Sequence, residues 1–538
     1  MSDDRVALLA PTGTSYRFEV TLPTVAPYLE VGLGYLHDNS ESSTEVRFEV
    51  AVESSGGRDV VLDSVVVVRK DGRFDDRDID LGRWAGEDVA LVLSTQALTP
   101  EVSTWSAWAA PEIVSRKGRE AGWDVILISL DTLRADHLSS YGYNRPTSPA
   151  LDSLGERGLR FDKAVSSSPW TRPAHRSLFS GLYPIARQGL RSPPLALHLW
   201  RAGYRTVAVT GGGQIRPDFG FAAGFESYRT EDWLPADGEG IASLWESARG
   251  RKQFLFLHSY AIHDPYLHHR FTDGLPRGRL GESFSKRGDR NRLKSLTAEE
   301  QTYVEALYDG GIAYADEQLG LVLEKLDDVG ALERAIVIVT SDHGEQFWEH
   351  RGWGHGFTVY DHQLLVPLIV YLPPALRREL GADALGEGSV IAQQVRSIDL
   401  YPTILDLLGV DLPHPVQGLS LRPLLEGRSM PDIEAFSEST NIPRERKSLR
   451  SDSLKLVRVS GKKKWEEEGP APSWELYDLR RDPREQNDLS AQYPDIVEFL
   501  SARMLQIMYG SDESERDVEV PDDIDDRLRE ELAALGYL

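Results

Sequence analysis

The chain has 538 residues, 41% hydrophobic and 27% charged, and 60 Lys and Arg against 85 Asp and Glu leave a net charge of −25. This composition supports buried cores and excludes a disordered chain, and the length corresponds to roughly three to four domains or one large core with additions. The charge excludes a nucleic-acid or anionic-membrane surface unless a local basic patch exists, and the absence of cysteine excludes disulfides, thiolate ligands and a thiol nucleophile.

From Met1 onward no basic segment leads into an apolar one, and nowhere do about 18 apolar residues run together. As written, the chain reads as cytoplasmic with no membrane span, or as exported if its N-terminus is incomplete. From Tyr16 to about Val114 apolar residues alternate with polar ones, in Tyr16 to Leu22, Val46 to Val52, Val60 to Val68 and Val89 to Leu93. Period two with Gly56-Gly57 and Asp71-Gly72 turns predicts an antiparallel β-sandwich over residues 1–115. The polar stretch from Ser115 to Gly122 is the linker.

After Trp123 the pattern changes to short runs apolar on both faces: Val125 to Leu130, Thr206 to Val209, Phe254 to Leu257, Ile336 to Val339 and Leu368 to Leu372. Such strands belong in a sheet covered by helices on both sides, a doubly wound α/β domain over 123–410. It closes on a helix from Asp399 to Gly409. Residues 411–538 read as a smaller α+β subdomain, with strands at Leu454 to Val459 and Glu475 to Asp478 and a C-terminal helix from about Asp523.

Ligands of such sheets bind outside the carboxyl ends of the strands. There stand Asp131, then Asp342 and His343, then His258 with His263 and Asp264. Each alone reads equally well as a strand-end turn or a helix cap. Converging on one edge, they are a mixed oxygen and nitrogen donor set suited to Zn or Mn. The second piece is Trp170 to Gly181. Pro173 suits a first helical turn and places Thr171 at the helix entrance, as a plain cap or as a nucleophile, with Arg172, His175 and Arg176 to compensate an anion.

Asp131 to Leu138 with Tyr141-Gly142, the Thr171 segment, Ser341-Asp-His-Gly-Glu345, Gly354-His355-Gly356, Val366-Pro367, Asp399 to Thr403, Gly418 to Leu421, and Glu475 to Leu479 with Asp482-Pro483 occur in an order that resembles the sulfatase family of the alkaline-phosphatase superfamily. The ending Leu532 to Leu538 is similar to tails in that family. The resemblance implies an alkaline-phosphatase-like αβα sandwich with one sheet edge carrying a divalent metal, a nucleophile and a cationic cradle. Position by position it implies metal ligands at Asp131, Asp342 and His343 and a metal-touching nucleophile at Thr171. It further implies support of the nucleophile by His175, ester or leaving-group contact by His355, and substrate contact by His263. His258 is a further substrate contact on the reading above, and Arg172 falls outside the family pattern.

The departures shape the expected chemistry. Sulfatases resemble one another in a Cys or Ser that becomes formylglycine, whereas this chain has Thr171 and no cysteine, so the expectation is no formylglycine. Asp131-Thr132 and Asp342-His343 stand where paired acids and Asp-Asn are usual, which moves the expected ion from Ca toward one Mn or Zn. The combination resembles phosphoglycerol and phosphoethanolamine transferases and phosphonate and phosphodiester hydrolases. The expected enzyme is a metal-dependent hydrolase of a phosphodiester or phosphonate, a phosphotransferase being less favoured without membrane helices. The alternatives are a sulfuric ester hydrolase using threonine directly and a non-catalytic glycan-binding member. In the expected mechanism Thr171 attacks in line, His175 with Arg172 or Arg176 offsets charge, and His355 or His263 protonates the departing alkoxide.

The substrate class is an anionic small-molecule, glycan or lipid ester. Seven basic residues between Arg277 and Lys294 form either a solvated loop or a lid that draws such a substrate in. The tryptophans Trp84, Trp105 and Trp108 of the first domain, similar to jelly-roll modules, serve as core or as a sugar-stacking edge.

Overall fold

The computed structural model describes all residues except 1–2, 5–6, 37–44, 68–73, 99–104, 116–121, 186–193, 232–237, 248–249, 286–294, 413–414, 441–444, 462–469 and 510–538. Outside the described residues therefore lie the Asp71-Gly72 turn, most of the linker, the second half of the basic stretch, the helix expected from Asp523 and the family-like tail. The chain forms two compact units. The first comprises Met1–Asp124, Ala196–Asp232 and Ser243–Phe256; the second comprises Val125–Leu195, Trp233–Ala242 and Leu257–Leu538.

In the first unit, two four-stranded antiparallel sheets form the expected sandwich. One runs Ala7–Pro11, Trp105–Ser115, Pro27–Leu36, Asp75–Asp80, and the other runs Ser15–Thr21, Asp88–Ala97, Glu45–Ser54, Gly57–Val67. Alternation drives it. Val46, Phe48, Val50 and Val52 point inward from one sheet, and Leu29, Val31, Leu33 and Trp108 from the other. Phe48 meets Trp108 edge to face at 5.0 Å. Trp84 and Trp108 are core, while Trp105 is 49% exposed. Where this unit buries charge, it pairs it: the buried Arg251 binds Glu226 at 2.8 Å, Glu112 at 3.1 Å and Glu30 at 3.2 Å. The unit also contains the strand Arg205–Thr210, parallel to Ser227–Thr230.

The second unit is α/β, with strands Asp124–Leu130, Ala335–Thr340, Leu365–Tyr371, Leu159–Val165 and Ser389–Ile391 adjacent in that order. Every residue of Asp124–Leu130 and Ala335–Thr340 is buried, as strands covered on both faces require. The sheet is mixed rather than parallel throughout. Leu365–Tyr371 runs antiparallel to both neighbours, because the chain after Thr340 spends its length on site loops and returns without a crossover helix. The helix Ala298–Asp328 opens with a capping box in which Thr297 and Glu300 satisfy each other's backbone N–H groups.

The C-terminal part is an antiparallel meander of Ala435–Ser439, Arg446–Arg450, Leu454–Val459 and Ser473–Asp478. The helix Pro494–Tyr509 covers it with Ile496, Leu500, Met504 and Met508, spaced four apart on one face. Among the described residues, no helix is long and apolar enough to cross a membrane.

Candidate active site

The strand Asp124–Leu130 delivers Asp131 at its carboxyl end, and Ala335–Thr340 delivers Asp342 and His343; all three side chains are fully buried. One donor atom from each lies within 4.8 Å of the others. Thr132, next to Asp131, takes a positive φ of 60°, a strained conformation for a β-branched residue, and Tyr308 Oη holds its carbonyl at 2.8 Å. Thr171 opens the helix Thr171–Ser180. Its hydroxyl donates to Asp131 Oδ2 at 3.2 Å and stands 3.4 Å from His343 Nε2.

The fit to a cation rests on the polar atoms left over. Asp131 Oδ1 and Asp342 Oδ2 are buried and receive no hydrogen bond, a costly arrangement unless positive charge sits between them. His343 Nδ1 donates to the Gly344 carbonyl at 2.8 Å, so its Nε2 carries the lone pair and lies 3.3 Å from Asp342 Oδ2. Burial and the neighbouring Asp342 push Asp131 up to about 6. Burial would raise Asp342 too, but His343, His175 and His258 outweigh it and bring Asp342 to about 2. These residues fit a divalent metal.

The histidines divide between two sides. His175 is fully buried, its Nδ1 3.5 Å from Asp342 Oδ2. Its Nδ1 donates to the Thr171 carbonyl at 3.0 Å and its Nε2 accepts from Ser129 Oγ at 3.1 Å, so both ring nitrogens are engaged. Burial lowers it to about 4, so at neutral pH it is an uncharged support for the helix entrance. His258 packs against His175 with ring centroids 5.0 Å apart, its Nε2 3.5 Å from Asp131 Oδ2. On the other side, the His355 ring lies 4.6 Å from His343 and 4.9 Å from His263. His263 Nδ1 donates to the Asp264 carbonyl at 2.7 Å. Burial disfavours the His263 cation, but Asp131, Glu345 and Asp264 together raise its pKa.

Arg172 and Arg176 are turned elsewhere. They line a cavity of about 650 Å³ together with Trp170, Lys447, Glu438 and Glu445. Being one helical step on from Thr171 and His175, they occupy the neighbouring face of the same helix. A larger cavity of about 980 Å³, around Lys163, Arg396 and Asp452, contains none of the residues that gather about Asp131. Of the basic stretch, Arg279 binds Glu300 at 3.1 Å and Arg277 Nε the Leu280 carbonyl at 2.7 Å, while Lys286, Arg287, Arg290, Arg292 and Lys294 lie outside the described residues. Sequence reasoning assigned no role to Glu345, Tyr266 or Ser129. Glu345 ends the Ser341–Glu345 motif, and the other two carry no local signal.

Residues 124–410 match the family model Sulfatase, and 349–509 match N-sulphoglucosamine sulphohydrolase, C-terminal. The chain belongs to the sulfatase family. Curated relatives include arylsulfatase K of Xenopus laevis, 29% identical over 230 residues, 41% of this chain and 40% of that protein. Another is N-acetylglucosamine-6-O-sulfatase of Bacteroides thetaiotaomicron, 29% identical over 213 residues, 38% of this chain and 35% of that protein. The chain spans about two fifths of the length of the curated relatives it matches. Among solved structures, BT4656 in complex with its substrate D-glucosamine-2-N,6-O-disulfate aligns with a TM-score of 0.57 at 18% identity over 74% of this chain and 100% of that one. The phosphonate monoester hydrolase of Agrobacterium radiobacter aligns at 0.54 and 20% identity over 72% and 95%. These likenesses establish the alkaline-phosphatase-like fold.

One expectation is corrected. The preference for Mn or Zn over Ca and the exclusion of formylglycine were drawn from single residues. The relatives are sulfatases by name, a class that normally works with calcium and formylglycine, and this contradicts both expectations; the residue at the nucleophile's position is nevertheless a threonine, so the chemistry proposed below starts from the hydroxyl that is present. An Asp-His pair does not by itself select the ion, since availability and the full ligand set decide it.

Proposed function

We propose that the protein hydrolyses sulfuric esters, with Thr171 as nucleophile and Asp131, Asp342 and His343 as the residues that would hold a divalent metal. The observation that carries this is the Thr171 hydroxyl, 3.2 Å from Asp131 and 3.4 Å from His343, beside buried carboxylate oxygens that lack any donor. The sulfatase names of the curated relatives favour sulfate over the phosphorus esters expected first from the sequence.

The bound ion would supply positive charge that favours an ionised hydroxyl and offsets charge on the ester's non-bridging oxygens. Thr171 Oγ1 attacks sulfur in line, giving up its proton along its hydrogen bond to Asp131, and the bond from sulfur to the leaving oxygen breaks. His175 keeps the Thr171 backbone fixed so that Oγ1 stays aimed. His355, with His263 beside it, protonates the departing oxygen. Water, giving a proton to His355, then attacks sulfur; the bond from sulfur to Oγ1 breaks, Asp131 returns its proton to Oγ1, and sulfate leaves. Arg172 and Arg176, facing their own cavity, bind an outlying anionic part of the substrate rather than the reacting group.

A second reading, hydrolysis of a phosphodiester or phosphonate, is favoured specifically by Thr171 with the single acid Asp131 and the Asp342-His343 pair. Metal-stripped protein reloaded with calcium or another divalent ion is assayed on 4-nitrophenyl sulfate, a sulfated saccharide, a phosphodiester and a phosphonate. Sulfate turnover above the others, lost in Thr171→Ala, is expected. Turnover of phosphorus esters with no sulfate turnover establishes the second reading instead.

A further inference from the structure

We propose that Glu345 is a positioning residue which, backed by Tyr266, fixes the tautomer and aim of His355 for proton delivery to the leaving group. This rests on the function proposed above and gives a role to the last residue of the Ser341–Glu345 motif, which the sequence reading left without one.

The argument is geometric. Glu345 is completely buried, and its two carboxylate oxygens stand 3.2 and 3.3 Å from His355 Nδ1. A carboxylate only accepts, so Nδ1 carries the hydrogen and Nε2 is the ring nitrogen left for substrate. The carboxylate is itself held. Tyr266 Oη donates to Oε2 at 2.9 Å, and Arg134 Nη1 donates to the Glu345 backbone carbonyl at 2.9 Å, so carboxylate and main chain each have a fixed partner. Tyr266 is packed among Phe284, Tyr308, Phe347 and Trp353, with ring centroids 5.8 to 6.5 Å away. That wall buries Tyr266 and the Glu345 carboxylate, while the His355 side chain stays 17% exposed.

The backbone of His355 is fixed independently. Gly354 and Gly356 flank it with φ of 91° and 84°, and Gln363 binds the carbonyl of Gly354 at 3.0 Å and the N–H of Gly356 at 3.2 Å. Ser439 holds the Gly356 carbonyl at 2.7 Å. With the main chain set by Gln363 and Ser439, the work left for Glu345 is the ring itself. A carboxylate behind an imidazole orients it, so that the His355 cation gives its Nε2 proton to the leaving oxygen and remains as the neutral ring with its hydrogen on Nδ1 facing Glu345.

Leaving-group dependence and tautomer test the proposal together. Glu345→Gln is expected to lower kcat on alkyl and saccharide sulfates about 10- to 100-fold. On 4-nitrophenyl sulfate, whose leaving group needs no proton, it should change kcat less than about threefold. Tyr266→Phe is expected to give the same pattern with a smaller loss. In ¹⁵N-histidine spectra, with His355→Gln for assignment, wild-type His355 should be protonated at Nδ1, and Glu345→Gln should lose that preference. Equal losses on both kinds of ester, or an unchanged tautomer in Glu345→Gln, overturn the proposal. If no ester is turned over, the proposed function falls while the tautomer comparison still decides the role of Glu345.

Discussion

The sandwich and the catalytic strand ends treat polarity in opposite ways. In the sandwich, alternation sends charge outward and the interior is Val, Leu, Phe and Trp, while the buried Arg251 elsewhere in the same unit meets three glutamates. At the strand ends, Asp131 and Asp342 are buried with an oxygen each that nothing satisfies, beside a strained Thr132. Buried acids left without partners lower stability where an apolar side chain would raise it, which is the cost the proposed function accounts for.

The sharpest test of that contrast is Thr171→Ala. It removes the hydroxyl together with one buried methyl group, so turnover should fall at least about a thousandfold while the unfolding midpoint falls by no more than loss of one methyl group accounts for. Steady-state kinetics beside a thermal melt checks both halves. A large drop in stability would mean that the site is structural.

Much of this division was legible in the chain. Period-two alternation foretold the sandwich, all-apolar runs foretold the central strands, and strand-end acids foretold where Asp131, Asp342 and His343 meet. Strand direction was not legible, because Leu365–Tyr371 has the same composition whichever way it runs. The helix Pro494–Tyr509 did carry a signal, its four-residue spacing of Ile496, Leu500, Met504 and Met508, which a search for strands passes over. Glu345 escaped because its meaning comes from Tyr266, 79 residues away. Arg172 and Arg176 look like active-site groups in sequence and are separated from it only by the turn of the helix.

On the sandwich side, Phe48→Ala removes a fully buried ring from its contact with Trp108 and should cost about 3–5 kcal/mol. Chemical denaturation reads the loss, with activity per folded molecule as the control. A cost below about 1 kcal/mol would show that this core is loosely packed.

Asp316 lies between the extremes, a buried carboxylate in the catalytic unit that is satisfied. It caps the helix Pro149–Arg157 from outside, accepting the N–H groups of Ala150 and Leu151 at 2.8 Å each. Burial nevertheless pushes it up to about 7 against those two hydrogen bonds. A raised carboxyl pKa favours the folded state below the unfolded value, and the advantage is lost as pH rises through the folded one. Stability should therefore fall between about pH 4 and pH 7, by on the order of 1–4 kcal/mol from this group. Denaturation curves across that range should flatten in Asp316→Asn, and an unaltered pH profile would remove Asp316 from the account.

Smaller still is the effect of the second helix face. Replacing Arg172 or Arg176 by Ala should raise KM about tenfold for an ester bearing a second anionic group, with kcat unchanged. For a simple aryl ester it should change neither. A fall in kcat on the aryl ester would place these arginines at the reacting group after all.

The smallest effect belongs to the sandwich surface. Arg47 makes a two-pronged pair with Asp63 at 2.6 and 2.7 Å, geometry as good as any in the site, yet the two side chains are 45% and 44% exposed. Water and salt screen such a pair, and ordering two long side chains offsets what attraction remains. Arg47→Gln and Asp63→Asn, alone and together, should leave the melting temperature where it was at physiological ionic strength. A coupling that survives high salt would mean that the outer face is not the passive surface its alternation suggests. The contrast with the strand ends would then rest on burial of the acids alone, rather than on where each region places its charge.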